Sequence, residues 1–237
     1  DFDTKISGNL EIPSSIENKP VISIGENAFR DCVNLNNVKI PDGIKTIKGG
    51  AFYKCTNLSN VNIPETVTTI GKSAFQGSAL ANIKISDTVT NIEGSAFRGC
   101  LRLTNIEVLD SHPVYAREAG MLFNKAKDVL LSYPSASGEI TIPSTVKRIA
   151  YGAFAGSNVH KVRMSESVTT IDGNAFTQCK ELREIFISKS VTAIGLGAFG
   201  GCQNLTVMTF YGDSPSQAED IFKNESEAIL FTVLGIV

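Results

Sequence analysis

The chain has 237 residues, 42% hydrophobic and 19% charged, with 22 Lys and Arg against 24 Asp and Glu for a net charge of -2. Because positive and negative side chains are nearly equal in number, the chain has no strong electrostatic field of one sign. We therefore expect neither nucleic acid nor a charged membrane surface as a partner. The longest apolar stretch, residues 228–237, is shorter than the roughly 20 residues of a membrane-spanning helix, and we expect no transmembrane segment. No signal-peptide pattern precedes Asp1, which leaves a cytosolic chain or a processed form of an exported one.

Seven Ala-Phe pairs recur along the chain at a nearly fixed spacing. Their phenylalanines are 22 or 23 residues apart, except for one interval of 57. A period of about 20 to 50 residues is typical of a solenoid, in which each copy buries its apolar side only against its neighbours. The sequence therefore predicts a single elongated domain over residues 1–237. The repeated residues are Phe29, Phe52, Phe75, Phe97, Phe154, Phe176 and Phe199.

Each repeat, or rung, contains a Leu-x-x-Ile-x-Ile segment that is short, β-branched and alternating, which indicates a strand. Stacked copies must lie parallel, about 4.8 Å apart, so we expect one continuous parallel sheet. The Val-x-x-Ile and Ala-Phe segments predict short strands or single helical turns on the return face. The fold class is thus a strand-rich α/β repeat solenoid. The predicted strands cover residues 35–40, 58–63, 80–85, 103–108, 137–142, 159–164, 182–187 and 205–210, with a further strand near Leu10 and Ile12.

The repeat pattern also sets the internal boundaries of the domain. It frays after Phe210, where we expect a rung that caps the open end of the core. The predicted parts are an N-terminal cap with a partial rung (1–20), regular rungs (21–108), an irregular rung with a β-hairpin (109–136), regular rungs (137–210) and a C-terminal cap (211–237).

All five cysteines stand three residues after a repeat phenylalanine. An odd number with one per rung indicates a buried packing slot, since a free cysteine behaves as a small apolar residue. The alternatives are a disulfide or a metal site, but no Cys-x-x-Cys or histidine spacing supports zinc. Ser78 and Ser157 replace the cysteine in two rungs that are one residue shorter, which predicts a slot within a tight turn. The cysteines are Cys32, Cys55, Cys100, Cys179 and Cys202.

The 57-residue interval between Phe97 and Phe154 holds one enlarged rung or two distorted ones. Two apolar runs, residues 121–123 and 129–133, flank a polar turn and predict a β-hairpin that projects from the solenoid. Loops inserted into a repeat array often fall on its binding face. The hairpin is therefore either a binding element or an elaboration that closes the edge of the sheet.

His112 and Tyr115 are the residues of this interval to test for binding. The chain has two histidines, in different rungs, with no Ser-His-Asp grouping and no metal-ligand spacing. We therefore expect no enzymatic activity, no catalytic residue, no metal site and no cofactor.

The assembled motif, Val-x-x-Ile-Gly-x-x-Ala-Phe-x-x-Cys-x-x-Leu-x-x-Ile-x-Ile-Pro, resembles the BspA-type leucine-rich repeat, also called the Treponema pallidum type. The resemblance extends from about Leu10 to Phe210 and includes the interruption, which reads Ala-Gly-Met-Leu-Phe-Asn-Lys and then Ser-Tyr-Pro. In four rungs the glycine after isoleucine is replaced, so we expect this slot to tolerate a side chain. The replacements are Lys48, Glu93, Ala150 and Asp172.

The resemblance implies a right-handed, horseshoe-shaped solenoid whose parallel sheet lines the concave face. It also implies an extracellular or cell-surface location on a bacterium or protist, and adhesion to host matrix proteins or other cells. The family has no shared catalytic residues to carry over. We expect a monomer.

Outward-facing positions on either side of the middle apolar residue of each strand should form two columns along the sheet. The first contains four successive asparagines, which form either an amide ladder that stabilises the sheet or a neutral surface for a peptide or glycan. The carboxyl half mixes cations with Phe186, a composition typical of protein contacts. The candidate ligand-binding residues are Asn37, Lys39, Asn60, Asn62, Asn82, Lys84, Asn105, Glu107, Lys161, Arg163, Glu184 and Phe186.

These observations support a non-enzymatic adhesion module that presents its concave sheet to a protein or glycan. The alternative is a structural spacer or scaffold within a larger surface protein, with no ligand of its own. Combined substitution of Lys161, Arg163 and Phe186 separates the two, because only the adhesion module loses binding.

Overall fold

The computed structural model describes residues 6–212 as stacked rungs of strands and turns. The chain divides into two compact units, the first ending at Lys125 and the second beginning at Ala126. Between residues 6 and 212 there is no helix. The strand-rich solenoid is thus confirmed, whereas the single helical turns are not found in the described part. Apart from residues 211 and 212, the predicted C-terminal cap lies outside the described residues.

The first unit alternates longer strands with two-residue return strands. Three of the longer strands begin two residues later than predicted, at Asn60, Asn82 and Asn105, whereas one begins at Leu35 as predicted. Before Asn60, the opening Leu58 lies in a turn, in which its N–H donates to Cys55 O at 2.9 Å. Its strands are β1 (Gly8–Glu11), β2 (Ser15–Ile16), β3 (Lys19–Pro20), β4 (Ser23–Ile24), β5 (Leu35–Lys39), β6 (Thr46–Ile47), β7 (Asn60–Asn62), β8 (Thr69–Ile70), β9 (Asn82–Ile85), β10 (Asn91–Ile92), β11 (Asn105–Val108), β12 (Tyr115–Glu118) and β13 (Met121–Asn124).

The second unit repeats this alternation. Four longer strands pair in parallel in the order β15-β17-β19-β21, and the return strands β16, β18 and β20 also pair in parallel. The strands are β14 (Val129–Ser132), β15 (Ser137–Thr141), β16 (Arg148–Ile149), β17 (Asn158–Arg163), β18 (Thr170–Ile171), β19 (Glu184–Ile187), β20 (Ala193–Ile194) and β21 (Val207–Phe210).

The long-strand sheet of the first unit is divided in two, contrary to the expected continuous sheet. β1, β5 and β7 form one parallel sheet and β9 and β11 another, whereas the return strands β4, β6, β8 and β10 form a single sheet. The division coincides with the shortened turn at Ser78, which brings the chain to β9 one residue early. In the second unit the shortened turn at Ser157 precedes β17, which pairs with β15 through a register shift at Gly138. A register shift of the same kind occurs at Gly8, where β1 pairs with β5 after a turn of full length, so the shift at Gly138 does not require a shortened turn.

The Ala-Phe segment is a tight turn flanked by residues with left-handed backbone. The residue before alanine and the second residue after phenylalanine have φ between 54° and 76° in every rung. The backbone N–H groups of this segment point alternately into the turn and towards the next rung. Ala51 N–H donates within the turn to Lys48 O at 3.2 Å, and Phe52 N–H donates to Ala74 O of the next rung at 2.7 Å. Left-handed residues cannot continue a right-handed helix, which explains why this segment forms turns instead.

The repeat phenylalanines form the centre of the core. In the first unit, successive ring centroids from Phe29 to Phe97 lie 5.2, 5.4 and 6.0 Å apart, with nearly parallel planes. In the second, Phe176 lies 4.7 Å from Phe154 and 5.4 Å from Phe199. All are fully buried except Phe29, which is half-buried because a ring contacts it from one side only in the described part.

The irregular interval contains one enlarged rung, in which Tyr133 occupies the phenylalanine slot. Its N–H donates to Ala153 O at 2.7 Å, as a repeat phenylalanine does, and its ring lies 5.8 Å from that of Phe154. Ala136 takes the cysteine slot and donates its N–H to Tyr133 O at 3.2 Å. Neither substitution was predicted from the sequence.

Both apolar runs of the interval are strands, β13 and β14, as expected. The first unit also contains an unpredicted antiparallel hairpin of β12 and β13, in which Tyr115 opposes Asn124. Met121, Leu122 and Phe123 are buried, so β13 belongs to the core and does not project. A further hairpin of β2 and β3 lies within the predicted N-terminal cap.

Candidate binding face

The long strands of the second unit present the two predicted columns in register. Lys161 lies between Glu139 and Glu184 in the first column. The intervening Val162 and Ile185 are fully buried, so the column residues point away from the core. We call the two columns of each unit the long-strand face of that unit. In the second unit they contain Glu139, Lys161, Glu184 and Val207, and Thr141, Arg163, Phe186 and Thr209.

Four predicted residues of these columns form one cluster. Lys161 Nζ lies 2.8 Å from Glu184 Oε2 and 5.4 Å from the centroid of the Phe186 ring. The Arg163 guanidinium carbon lies over the same ring, 4.3 Å from its centroid. The structure therefore brings together the cations and the aromatic ring that the sequence placed on neighbouring strands. We call this group, with Tyr211, the basic-aromatic cluster.

Tyr211 belongs to this cluster and was missed by the sequence analysis, which assigned it to the C-terminal cap. Its ring centroid lies 6.5 Å from that of Phe186, with 23° between the planes, and the residue is 49% exposed. Its N–H donates to Ile187 O at 3.0 Å, which extends the ladder beyond β21. The available signal was an aromatic residue in the strand-ending slot, which holds Pro41 or Pro64 in earlier rungs.

In the first unit, several column residues are occupied by bonds within the sheet. Lys39 Nζ lies 2.6 Å from Glu11 Oε1, and both side chains are 69% exposed. The Asn62 amide accepts a hydrogen bond from Ile40 N–H at 3.0 Å and donates to Ile40 O at 3.3 Å. Lys84 and Glu107 are exposed and oppose each other in register. Lys39 and Asn62 are therefore bonded within the sheet, whereas Lys84 and Glu107 face the solvent.

The asparagine column forms only the beginning of an amide ladder. Asn37 Nδ2 donates to Asn9 Oδ1 at 2.5 Å, one rung before the predicted start. Asn60, Asn82 and Asn105 are exposed, and no amide-to-amide bond joins them within the described residues. Their side chains thus present amide groups to the solvent.

The cysteine slot is a packing position with a hydrogen-bonding role. All five cysteines are buried thiols. Cys55 and Cys100 donate Sγ–H to the carbonyl oxygens of Phe29 and Phe75 in the preceding rungs, at 2.9 and 3.0 Å. Ser78, in a shortened turn, is also buried and lies with its Oγ 3.3 Å from Cys100 Sγ. The predicted packing role is therefore confirmed.

Burial raises the pKa of the Cys100 thiol from 9.0 to about 11 and that of Cys55 to about 12. Because the folded-state pKa is raised, the stabilisation by Cys100 is fully present below pH 9 and is lost as the pH rises towards 11. The free energy of unfolding, measured with urea under reducing conditions, should fall between pH 8 and pH 10. This fall should be about 1 kcal/mol smaller in Cys100→Ser, which lacks the titrating thiol, than in the parent. Identical pH dependence of the two proteins contradicts this prediction.

His112 and Tyr115 are structural residues rather than an exposed binding pair. The His112 side chain is fully buried; its Nε2 donates to Ser86 O at 3.1 Å, and its Nδ1 accepts the N–H groups of Val114 and Tyr115, each at 3.1 Å. Tyr115 is also buried, and its hydroxyl oxygen accepts the Ile92 N–H at 2.8 Å. Both side chains stabilise the start of the enlarged rung and are not available to a partner.

Across residues 6–212 the structure groups no three His, Cys, Asp or Glu side chains in a way that could hold a metal ion. In the same part of the chain, no helix has the length and apolar character needed to cross a bilayer. The lack of catalytic residues and cofactors stays a prediction.

The family model for the BspA type leucine rich repeat region, in 6 copies, matches residues 4–119 and 133–230. The chain belongs to the BspA-type leucine-rich repeat family. The resemblance seen in the repeat motif is thereby confirmed.

Solved structures of bacterial proteins share this BspA-type fold. A leucine-rich repeat protein from Eubacterium ventriosum is 32% identical, with a TM-score of 0.71 over 89% of this chain and 62% of its own. The present chain thus spans less than two thirds of that protein. A leucine rich cell surface protein from Faecalibacterium prausnitzii is 25% identical, with a TM-score of 0.55 over 88% of this chain and 74% of its own. Comparison with curated protein sequences gave no match.

Proposed function

We propose that this BspA-type domain is a non-enzymatic interaction module of a bacterial cell-surface protein. The long-strand face of its second unit, which the family resemblance implies to be concave, contacts a host matrix protein or a protein or glycan of another cell. The extracellular location is supported by the similarity to a protein described as a leucine rich cell surface protein.

The basic-aromatic cluster is the observation that carries this proposal. Arg163 and Tyr211 are exposed, and Lys161 and Phe186 are partly exposed beside them. Arginine and aromatic side chains supply much of the binding energy at protein interfaces because they combine apolar area with hydrogen-bond donors. A solenoid that needs only its core for stability has no structural requirement for such a group on a solvent face.

The internal bonding of column residues in the first unit supports a second role, that of a spacer. The Lys39 side chain is paired with Glu11, and the Asn62 amide bonds the backbone of Ile40. Surface ion pairs of this kind contribute little to binding, since each partner must first be separated. We propose that this unit acts as a spacer and contributes little binding energy itself.

Binding of the purified chain to immobilised host matrix proteins, glycans and epithelial cells tests the proposal. The combined substitution Lys161→Gln, Arg163→Gln and Phe186→Ala should abolish the binding shown by the parent chain. Unchanged circular dichroism and thermal unfolding of the variant would establish that the fold is retained.

The matched control carries three changes at exposed residues outside the columns, Lys147→Gln, Glu166→Gln and Lys180→Gln. It should bind as the parent does. Equal loss in both variants, or no binding by the parent to any of these surfaces, contradicts the adhesion role and favours the spacer role for the whole domain.

A further inference from the structure

Arg163 is a cation without an acidic partner in the part of the chain that the structure describes. Its neighbours along the column are Thr141 and Phe186, neither of which carries a charge. The adjacent Lys161 and Glu184 pair with each other at 2.8 Å, so Glu184 is already occupied. The exposed guanidinium therefore carries a positive charge that can bind an anionic group of a ligand.

The ring of Phe186 holds the Arg163 guanidinium in a defined position. A guanidinium over an aromatic face is stabilised by cation–π attraction, which leaves the N–H donors at its edge available. Five N–H donors in a planar fork match the two oxygens of a carboxylate, and such bidentate bonds are stronger than neutral hydrogen bonds. The acceptor that best fits the edge of Arg163 is thus a carboxylate.

Tyr211 extends the apolar part of the same surface. Its ring centroid lies 6.5 Å from that of Phe186, and the residue is 49% exposed. The two rings offer an apolar platform directly beside the guanidinium. A ligand that combines a carboxylate with a neighbouring apolar group can occupy both.

We infer that the basic-aromatic cluster binds an extended acidic peptide segment of a partner protein. An Asp or Glu side chain bonds the edge of Arg163, and an adjacent aliphatic or aromatic side chain packs on Phe186 and Tyr211. This inference rests on the proposed function, for which it names the ligand chemistry.

A peptide fits this site better than an acidic glycan does. Sugar hydroxyls call for neighbouring amide donors and acceptors, but the columns of the second unit contain no Asn or Gln among the described residues. Amide side chains lie in the columns of the first unit instead, at Asn60, Asn82 and Asn105. Arginine beside aromatic rings is the composition of protein hot spots.

The test begins with a phage-displayed library of random linear peptides selected on the full chain. We expect the selected peptides to pair Asp or Glu with an aliphatic or aromatic neighbour. A fluorescein-labelled copy of the strongest sequence, and a second in which each acid is replaced by its amide, are then titrated by fluorescence anisotropy. Sialyllactose and unsialylated lactose are titrated in parallel as the glycan arm.

For the acidic peptide, Arg163→Gln should weaken binding about tenfold or more, since a charged hydrogen-bonded pair is lost. Arg163→Lys should lie between the parent and Arg163→Gln, because it keeps the charge but loses the fork. Lys147→Gln, at an exposed cation outside the columns, should bind as the parent does. The amide peptide should bind the parent and Arg163→Gln with similar, weak affinity.

Three results overturn the inference: a library that yields no acidic peptide, equal binding of the acidic and amide peptides, or sialyllactose binding that depends on Arg163 in place of peptide binding. If one of these occurs while the triple variant still loses matrix or cell binding, the ligand chemistry is wrong and the proposed function stands. If Arg163-dependent peptide binding is found but the parent chain binds no matrix or cell surface, the adhesion role is wrong instead.

Discussion

Replacement of Phe75 by alanine is expected to lower the free energy of unfolding by about 3 to 5 kcal/mol. The Phe75 side chain is fully buried, and its ring centroid lies 5.4 Å from that of Phe52 and 6.0 Å from that of Phe97. Truncation removes ring contacts with both neighbouring rungs and leaves a cavity that the repeat backbone cannot close. Urea denaturation followed by circular dichroism measures the effect.

Phe29→Ala is the matched control for this prediction, because Phe29 occupies the same slot but is only half-buried. Its described ring contact is with Phe52 alone, at 5.2 Å. The loss should therefore be clearly smaller than for Phe75→Ala. A Phe75→Ala protein with the denaturation midpoint of the parent contradicts the central role of the ring stack.

The positions of the rungs could be predicted because the repeat imposes them. Counting from the first apolar residue of each strand motif, Val159 or Leu182, places Lys161 and Glu184, and likewise Arg163 and Phe186, at equivalent positions of adjacent parallel strands. Residues at equivalent positions lie one strand apart, so their contact follows from counting alone. The composition of the long-strand face was for this reason accessible from the sequence.

Features that depend on departures from the repeat were not accessible. Tyr133 was not recognised in the phenylalanine slot because it lies 36 residues after Phe97 and 21 before Phe154. Tyr211 joins Phe186 through an aromatic contact beyond the end of the last matched strand. The sheet divides before β9, where a turn is shortened, but it stays continuous at the equally shortened turn before β17, so the consensus motif does not contain this information.

The need for glycine in the slot after isoleucine is another feature that the consensus motif alone does not predict. Lys48 and Asp172 place side chains there, in agreement with the expected tolerance. Gly71, however, lies against the preceding rung: a Cβ on Gly71 would be 2.6 Å from Gly49 N and 2.7 Å from the Lys48 carbonyl carbon. Backbone atoms cannot move aside as side chains do. Tolerance is therefore a property of each rung, determined by the distance between neighbouring backbones.

Gly71→Ala is accordingly expected to destabilise the protein by about 1 to 3 kcal/mol, as overpacking against fixed atoms does. The control is Gly25→Ala in the equivalent slot, where a Cβ would meet only Ala28 Cβ, at 4.0 Å. Gly25 lies outside the left-handed region, so alanine there should leave stability unchanged or raise it by about 0.4 to 1 kcal/mol by restricting the unfolded chain.

The comparison is decisive because, at one consensus position, Gly71→Ala should lower the free energy of unfolding and Gly25→Ala should not. Urea unfolding of both variants and of the parent, under the same conditions, measures the two changes in the free energy of unfolding. Equal effects of Gly71→Ala and Gly25→Ala would mean that the consensus slot, rather than the approach of the neighbouring backbone, determines the need for glycine. A loss confined to Gly71→Ala supports close contact between successive rungs as the reason that this glycine is required.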